Sequence, residues 1–355
     1  MLKDPFYDPD KTYYQNYEKG PYGEFANKKV FKQKKIPDHF FLGSPVNLPF
    51  GIPAGPLLNS KYVNAALDKA FDIVTYKTVR THFHKSSDWP NVMAVKIKGD
   101  LTLKKAEKGL TGTNKYVHPI AITNSFGVPS FDPDVWQKDI KKAVSHAKKG
   151  QVVVGSFQGT TSEDGSVKKY ISDFVKASRL VKEAGAKILE ANLSCPNEGS
   201  ANLLCFDVER TRKIVEEIKN EIGNAPLIVK IAYFENQKHL VKLVSLIGKT
   251  VDAISAINTI PAKIYDENGG QALPGKNRLM SGVCGYPIKW AGVDMIKRLK
   301  KLREEFSYSF EIVGVGGVTT SQDYFEYRSV GADAVMSATG AMWNPLLAQE
   351  IKKSL

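Results

Sequence analysis

A thiol set between amides and a proline is poor core material and good material for a site where protons move. The segment Ala191-Asn192-Leu193-Ser194-Cys195-Pro196-Asn197 has that make-up. It follows Lys187–Glu190, which reads as a buried strand entered from a helix through Ala184-Gly185-Ala186. Polar residues at the C-terminal end of such a strand are where α/β barrels keep their chemistry. Taken singly, Cys195 would read as a small buried hydrophobe beside a turn, and it is the neighbours that favour a catalytic loop.

Asparagines recur at the ends of other candidate strands. Asn124 precedes Ser125-Phe126-Gly127-Val128, Asn192 and Asn197 flank Cys195, and Asn258-Thr259 closes a further apolar run. One such residue is ordinarily a turn or cap. Several converging amides, each offering donors and an acceptor, suit a planar heterocycle carrying C=O, N–H and carboxylate groups. Two lysines also end strands in apolar company, Lys77 after Ile73-Val74-Thr75-Tyr76 and Lys230 after Leu227-Ile228-Val229. Alone, each could snorkel outward, whereas two at one mouth suit an anionic guest. A cation at the N1 and O2 edge of a flavin would favour its reduced form.

Small residues near the C-terminus suggest a phosphate cradle. Gly314-Val315-Gly316-Gly317 and Ala338-Thr339-Gly340 each follow a strand and precede a helical pattern. Such residues let backbone N–H groups close on phosphate oxygens, with a helix terminus adding a favourable dipole. The last two strands of a barrel are the usual place for this, and the pair of motifs fits a ligand the size of FMN.

These residues need a scaffold that brings strand ends together. Eight strands are expected at Pro49–Ala54, Asp72–Lys77, Val152–Phe157, Lys187–Asn192, Pro226–Ile231, Asp252–Asn258, Glu311–Val315 and Asp333–Ser337. Helical patterns fill most gaps: Lys61–Ala70, Val135–Lys148, Ser166–Ala184, Val208–Glu221, Gln237–Gly248, Ile288–Glu305, Ser321–Val330 and Ala341–Ser354. The alternation predicts an α/β chain closed as a parallel (β/α)8 TIM barrel. A polar N-terminal extension without an apolar core is expected over 1–45, and the barrel over 46–355. Two long excursions, after Lys77 to Asn124 with little helical periodicity and from Thr259 to Pro287, should lie over the C-terminal face.

The chain's 355 residues are 42% hydrophobic and 25% charged, ordinary for one globular domain of this kind. The net charge of +13 is spread along the chain. Its densest cluster, around Lys28 to Lys35, has only slight aromatic interleaving and no nucleic-acid module, so no nucleic-acid partner is expected. No apolar run approaches the length of a transmembrane helix, and no secretion signal is read. Cys195, Cys205 and Cys284 have no CxxC or metal-ligand spacing, so no metal is expected and a reducing, cytoplasmic compartment fits.

With these residues assembled, the sequence resembles the dihydroorotate dehydrogenase family, in its soluble flavin-containing class, over roughly residues 45 to 350. The strings that carry the resemblance are Gly51-Ile52-Pro53-Ala54-Gly55, Tyr76-Lys77-Thr78, Asn124 to Pro129, Asn192 to Asn197, Val229-Lys230, Ile257-Asn258-Thr259, Ser281-Gly282-Val283, Gly314 to Gly317 and Ala338-Thr339. The resemblance implies FMN-dependent oxidation of dihydroorotate to orotate, with Cys195 as the base where a membrane-associated class has Ser. It implies substrate contacts from Lys77, Asn124, Phe126, Gly127, Val128, Asn192, Asn197, Asn258 and Thr259. For FMN it implies Ala54, Gly55, Lys77, Thr78, Asn124, Asn192, Lys230, Gly282, Gly316, Gly317, Ala338 and Thr339. A second electron acceptor (fumarate, a quinone, or NAD through an iron–sulfur partner subunit) and a homodimer complete the expected partners.

The chain departs from the family pattern at Val79-Arg80, where small hydroxyl residues are expected, and at Cys284, where glycine is usual. Two alternatives remain open: a dihydropyrimidine dehydrogenase-like reductase, which typically carries His where Asn197 stands, and a flavin-binding barrel without turnover.

Overall fold

The computed structural model describes residues 2–33, 36–194, 203–276 and 278–355. Eight parallel strands close into a barrel in chain order: β1 (Phe50–Ile52), β2 (Ile73–Val79), β3 (Val152–Phe157), β4 (Ile188–Asn192), β5 (Leu227–Ile231), β6 (Ala253–Ala256), β7 (Glu311–Val315) and β8 (Ala334–Met336). All eight expected strands form, and the fold is a (β/α)8 TIM barrel. Nearly every strand residue is buried, because barrel strands are covered on one side by helices and on the other by each other. Amphipathic helices make the outer ring, several of them with side-chain caps, as in Val167–Glu183 capped by Ser166 and Val208–Ile222 capped by Asp207.

A short hairpin, His39–Phe41 paired with Ser44–Val46, plugs the N-terminal end of the barrel. Its turn residues Leu42 and Gly43 both have positive φ, at 47° and 75°, as a two-residue turn between twisted strands requires. Phe41 and Val46 join Ile73, Val152, Ile188 and Ala253 in the lower core, and Leu42 N donates to Glu311 Oε1 at 2.8 Å.

Three expectations need correction. The two excursions are not irregular: Val92–Lys96, Leu110–Thr113, Ala121–Asn124, Ile260–Tyr265 and Met280–Gly285 pair into a second, five-stranded closed sheet, with a short helix at Leu103–Lys108. The alternation of buried Ile260, Ala262 and Ile264 was its signal, but while one partner, Met280–Gly285, is near, the other, Leu110–Thr113, lies some 150 residues earlier. The N-terminal segment does have apolar anchors, since Phe6, Tyr7, Tyr13 and Phe25 pack into the main core. Thr12 and Gln15 form a capping box that starts a helix at Tyr13–Lys19. The expected last helix is two, Thr339–Trp343 and Leu347–Lys353, separated at Asn344-Pro345 because proline disfavours helical backbone before it. Among the described residues no helix is long and apolar enough to cross a membrane.

Candidate functional site

Strand register decides which side chains reach the barrel's mouth. Thr75 pairs through Val154 with Ile188, Glu190 through Ile228 with Ala253, and Ser255 through Val313 with Ala334. Barrel tilt lifts each layer two residues over every second strand. The uppermost inward layer is therefore Lys77, Asn192, Ile257 and Ala338, and the next is Pro53, Ser156, Lys230 and Val315. Below it lie Thr75, Glu190, Ser255 and Met336. All four residues of the first layer, and Pro53, Lys230 and Val315 of the second, line one cleft with about 1160 Å³ of empty space.

Of the residues singled out from sequence, the cleft brings together Ala54, Gly55, Lys77, Thr78, Asn124, Phe126, Val128, Asn192, Lys230, Asn258, Thr259, Gly316, Gly317, Ala338 and Thr339. Lys77 and Thr78 are neighbours in sequence, yet both face it because the β2–β3 register shifts between Tyr76 and Val79. Gly127 and Gly282 stand just behind the lining. A Cβ on Gly282 would lie 2.1 Å from Thr259 Oγ1, so this glycine lets the cover sheet close against a lining residue. Cys195 and Asn197 lie outside the described residues, and Ser194, which precedes them, is buried at the end of β4.

The amides form one network. Asn192 Nδ2 donates to Gln158 Oε1 at 2.7 Å, Asn258 Nδ2 donates to the carbonyl and hydroxyl oxygens of Ser194 at 3.1 Å each, and Thr259 N donates to Asn258 Oδ1 at 2.8 Å. Asn124 Nδ2 lies 3.4 Å from Cys284 Sγ. The Lys77 ammonium sits 5.5 Å from the centre of the Phe126 ring, within cation–π range. Burial pulls the Lys230 ammonium down from its usual pKa, and the negative charge of Glu190 opposes that. Glu190 is pushed up by burial, against the pull of Lys230 and the Ser156 hydroxyl.

The glycine pair after β7 adopts φ of +124° at Gly316 and +71° at Gly317. A Cβ on Gly317 would lie 2.6 Å from Lys289 N, so no other residue keeps this turn. The expected helix dipoles are not there to help. The helix after Gly317 starts only at Ser321, and Asp323 already accepts from Thr319 N and Thr320 N at 2.9 Å. The helix after Ala338 spans five residues. What remains is backbone: among the described residues, the amides of Gly316, Gly317 and Thr339 donate to no protein acceptor.

Sequence reasoning missed Tyr7, which reaches the cleft from the N-terminal segment and packs edge-on against Phe126 at 5.4 Å. It also missed Gln158, which a strand-end position beside Phe157 could have flagged. Cys284, noted only as a departure, lines the cleft, and burial raises its thiol pKa. Among the described residues no cluster of His, Cys, Asp and Glu could hold a metal.

A model of the dihydroorotate dehydrogenase family matches residues 114–355. The dihydroorotate dehydrogenase of Dictyostelium discoideum is 35% identical over 98% of this chain and 97% of its own. The catalytic subunit of dihydroorotate dehydrogenase B (NAD(+)) from Thermoplasma acidophilum is 28% identical over 65% of this chain and 72% of its own. In shape the chain is similar to a crystal structure of DHODH in complex with ferulenol from Eimeria tenella, with a TM-score of 0.68, covering 88% of this chain and 82% of that one. At 19% identity that likeness speaks to the fold alone. The family model and the near full-length match agree with the barrel and its amide-lined mouth: the chain belongs to the dihydroorotate dehydrogenase family, and with it to the oxidoreductases.

Proposed function

We propose that this chain oxidises dihydroorotate to orotate with FMN held in the cleft. The observation that carries the reading is the make-up of the two uppermost barrel layers, where Lys77, Asn192 and Lys230 line one cleft with Gly316, Gly317 and Thr339, whose backbone amides have no partner among the described residues. That donor set fits FMN: a cradle that only glycine can build suits the phosphate, and a buried cation suits the pyrimidine edge of the ring. Ala54, Gly55, Thr78, Gly282 and Ala338 complete the flavin contacts. When bound, FMN supplies a hydride acceptor at N5.

The chain's own residues do the rest. Asn124, Asn192, Asn197 and Asn258, with Lys77 and Thr259, hold the substrate's carbonyl, N–H and carboxylate groups. Phe126, Gly127 and Val128 shape the wall beside it. Cys195 takes the proton from C5 of dihydroorotate as the C6 hydride leaves. A thiol with an ordinary pKa of about 8.5 needs only a modest downward shift to act as base near neutral pH. Tyr7 and the cover-sheet residues Val92, Ile122 and Cys284 line the cleft from above.

We further propose a cytoplasmic homodimer, reoxidised by fumarate, a quinone, or NAD through an iron–sulfur partner subunit. The test is to purify the protein, identify the released chromophore, and follow turnover with dihydroorotate against each acceptor. FMN and reoxidation by at least one acceptor are expected. A protein that neither carries nor takes up FMN would overturn the proposal.

A further inference from the structure

We infer that Glu190 is a positioning residue for Lys230, taking up one proton when negative charge forms against the Lys230 ammonium. The inference rests on the FMN reading above. Glu190 faces inward from β4 in the layer directly beneath Lys230, with Thr75, Ser255 and Met336. It is 1% exposed, and among the described residues no donor makes a full hydrogen bond to either carboxylate oxygen, the Ser156 hydroxyl exerting only a weaker pull on it. Thr75 Oγ1 and Ser255 Oγ, in the same layer, are unpartnered too.

A carboxylate kept only for stability would be expected in contact with its counter-ion, because an uncompensated buried charge is strongly destabilising. Among the described residues, no ion pair within 4.0 Å joins Glu190 to Lys230 or Lys230 to anything else. The two groups interact through the low-dielectric interior without touching, which leaves the Glu190 oxygens open to a proton. On the strands flanking β4, the inward groups at this height are Ser156 on β3 and Lys230 on β5. Lys77 stands one layer above Lys230. The next inward carboxylate, Glu311, is at the far end of the barrel, bonded to Leu42.

Two hydroxyls stand between the cleft and Glu190. Thr78 lines it, the Thr78 and Ser156 hydroxyls are 3.0 Å apart, and Ser156 pairs with Glu190 across β3 and β4. The balance is simple. One proton from the cleft passes along these hydroxyls to a Glu190 oxygen, so an O–H bond forms and the carboxylate becomes a neutral acid. Lys230 keeps its own proton, and its positive charge then faces the new anion alone.

The test is to reduce the FMN-loaded protein chemically at a series of pH values and obtain the protons taken up per two electrons from the slope of midpoint potential against pH. Two are expected in the wild type and one in Glu190→Gln. Infrared difference spectra of the wild type should show the carbonyl stretch of a neutral carboxylic acid appearing on reduction, shifted in Glu190→Asp and absent in Glu190→Gln. Equal proton counts in wild type and Glu190→Gln, or no acid band in the wild type, would overturn the inference while leaving FMN binding intact. A wild type that takes up no FMN overturns the functional reading and this inference together. If Glu190→Gln does not fold, the wild-type acid band and its shift in Glu190→Asp still decide.

Discussion

Arg80 Nε donates to the carbonyl oxygen of Val128 at 3.0 Å, and Val128 is a β-branched residue held at a φ of +49° on the wall of the cleft. Such a conformation costs on the order of 1–3 kcal/mol and persists only where the surroundings enforce it. Arg80 enforces it from full burial, also donating to Gly159 O at 3.1 Å and Thr160 Oγ1 at 2.9 Å. The Arg80 that departs from the family pattern is thus the clamp of the Phe126–Val128 wall. Arg80→Met should raise the KM for dihydroorotate roughly tenfold, about 1.4 kcal/mol of binding, while FMN stays bound. An unchanged KM in a folded variant would show that the wall keeps its shape unaided.

The backbone cradle predicts a specific failure. Gly317→Glu places a side chain against Lys289 and a carboxylate near the proposed phosphate. FMN occupancy after purification should fall at least tenfold, read from the ratio of flavin to protein absorbance. Full occupancy would place the phosphate elsewhere.

The barrel was legible because most strands are short apolar runs with Gly or Pro at the border and a helix after them, as at Pro226–Ile231. The site was legible where residue type alone is odd, as with Lys230 after three aliphatic residues. The cover sheet was not legible, because Ile260–Tyr265 pairs with Leu110–Thr113 far back in the chain, and local pattern carries no partner. Tyr7 was hidden among Lys, Asp and Pro in a segment whose aromatics follow no helix or strand period, although Phe6, Tyr7, Tyr13 and Phe25 all reach the main core. The helix dipoles were expected from Gly-rich motifs before helices, yet Asp323 already satisfies one helix start and Pro345 cuts the other helix short.

At the opposite end of the barrel, Lys352 Nζ and Asp72 Oδ2 form an ion pair at 2.5 Å, with the Asp72 side chain fully buried. Burial pushes the Asp72 carboxyl up, and Lys352 holds it down. Lys352→Met should cost about 3–5 kcal/mol by leaving that carboxylate uncompensated. Adding Asp72→Asn should recover most of the loss, and urea unfolding of the two variants checks both statements.

Burial, with the charges of Arg80 and His82, holds His84 down at about 4. The unfolded chain, near 6.5, binds more protons between those values, so this contribution to stability is complete above about pH 6.5 and is lost as pH falls toward 4. His84→Asn should therefore lose less Tm than the wild type over that window. Parallel melting curves for the two proteins would show that His84 does not contribute.

The central claim is that Cys195 drives flavin reduction by dihydroorotate in this cleft, and anaerobic stopped-flow bleaching of the FMN-loaded protein tests it most directly. Dihydroorotate should bleach the wild type while dihydrouracil does not, and Cys195→Ala should keep its FMN yet bleach roughly a hundredfold or more slowly, the usual scale for losing a positioned base. Bleaching of Cys195→Ala at the wild-type rate, or equal bleaching of the wild type by dihydrouracil, would contradict it.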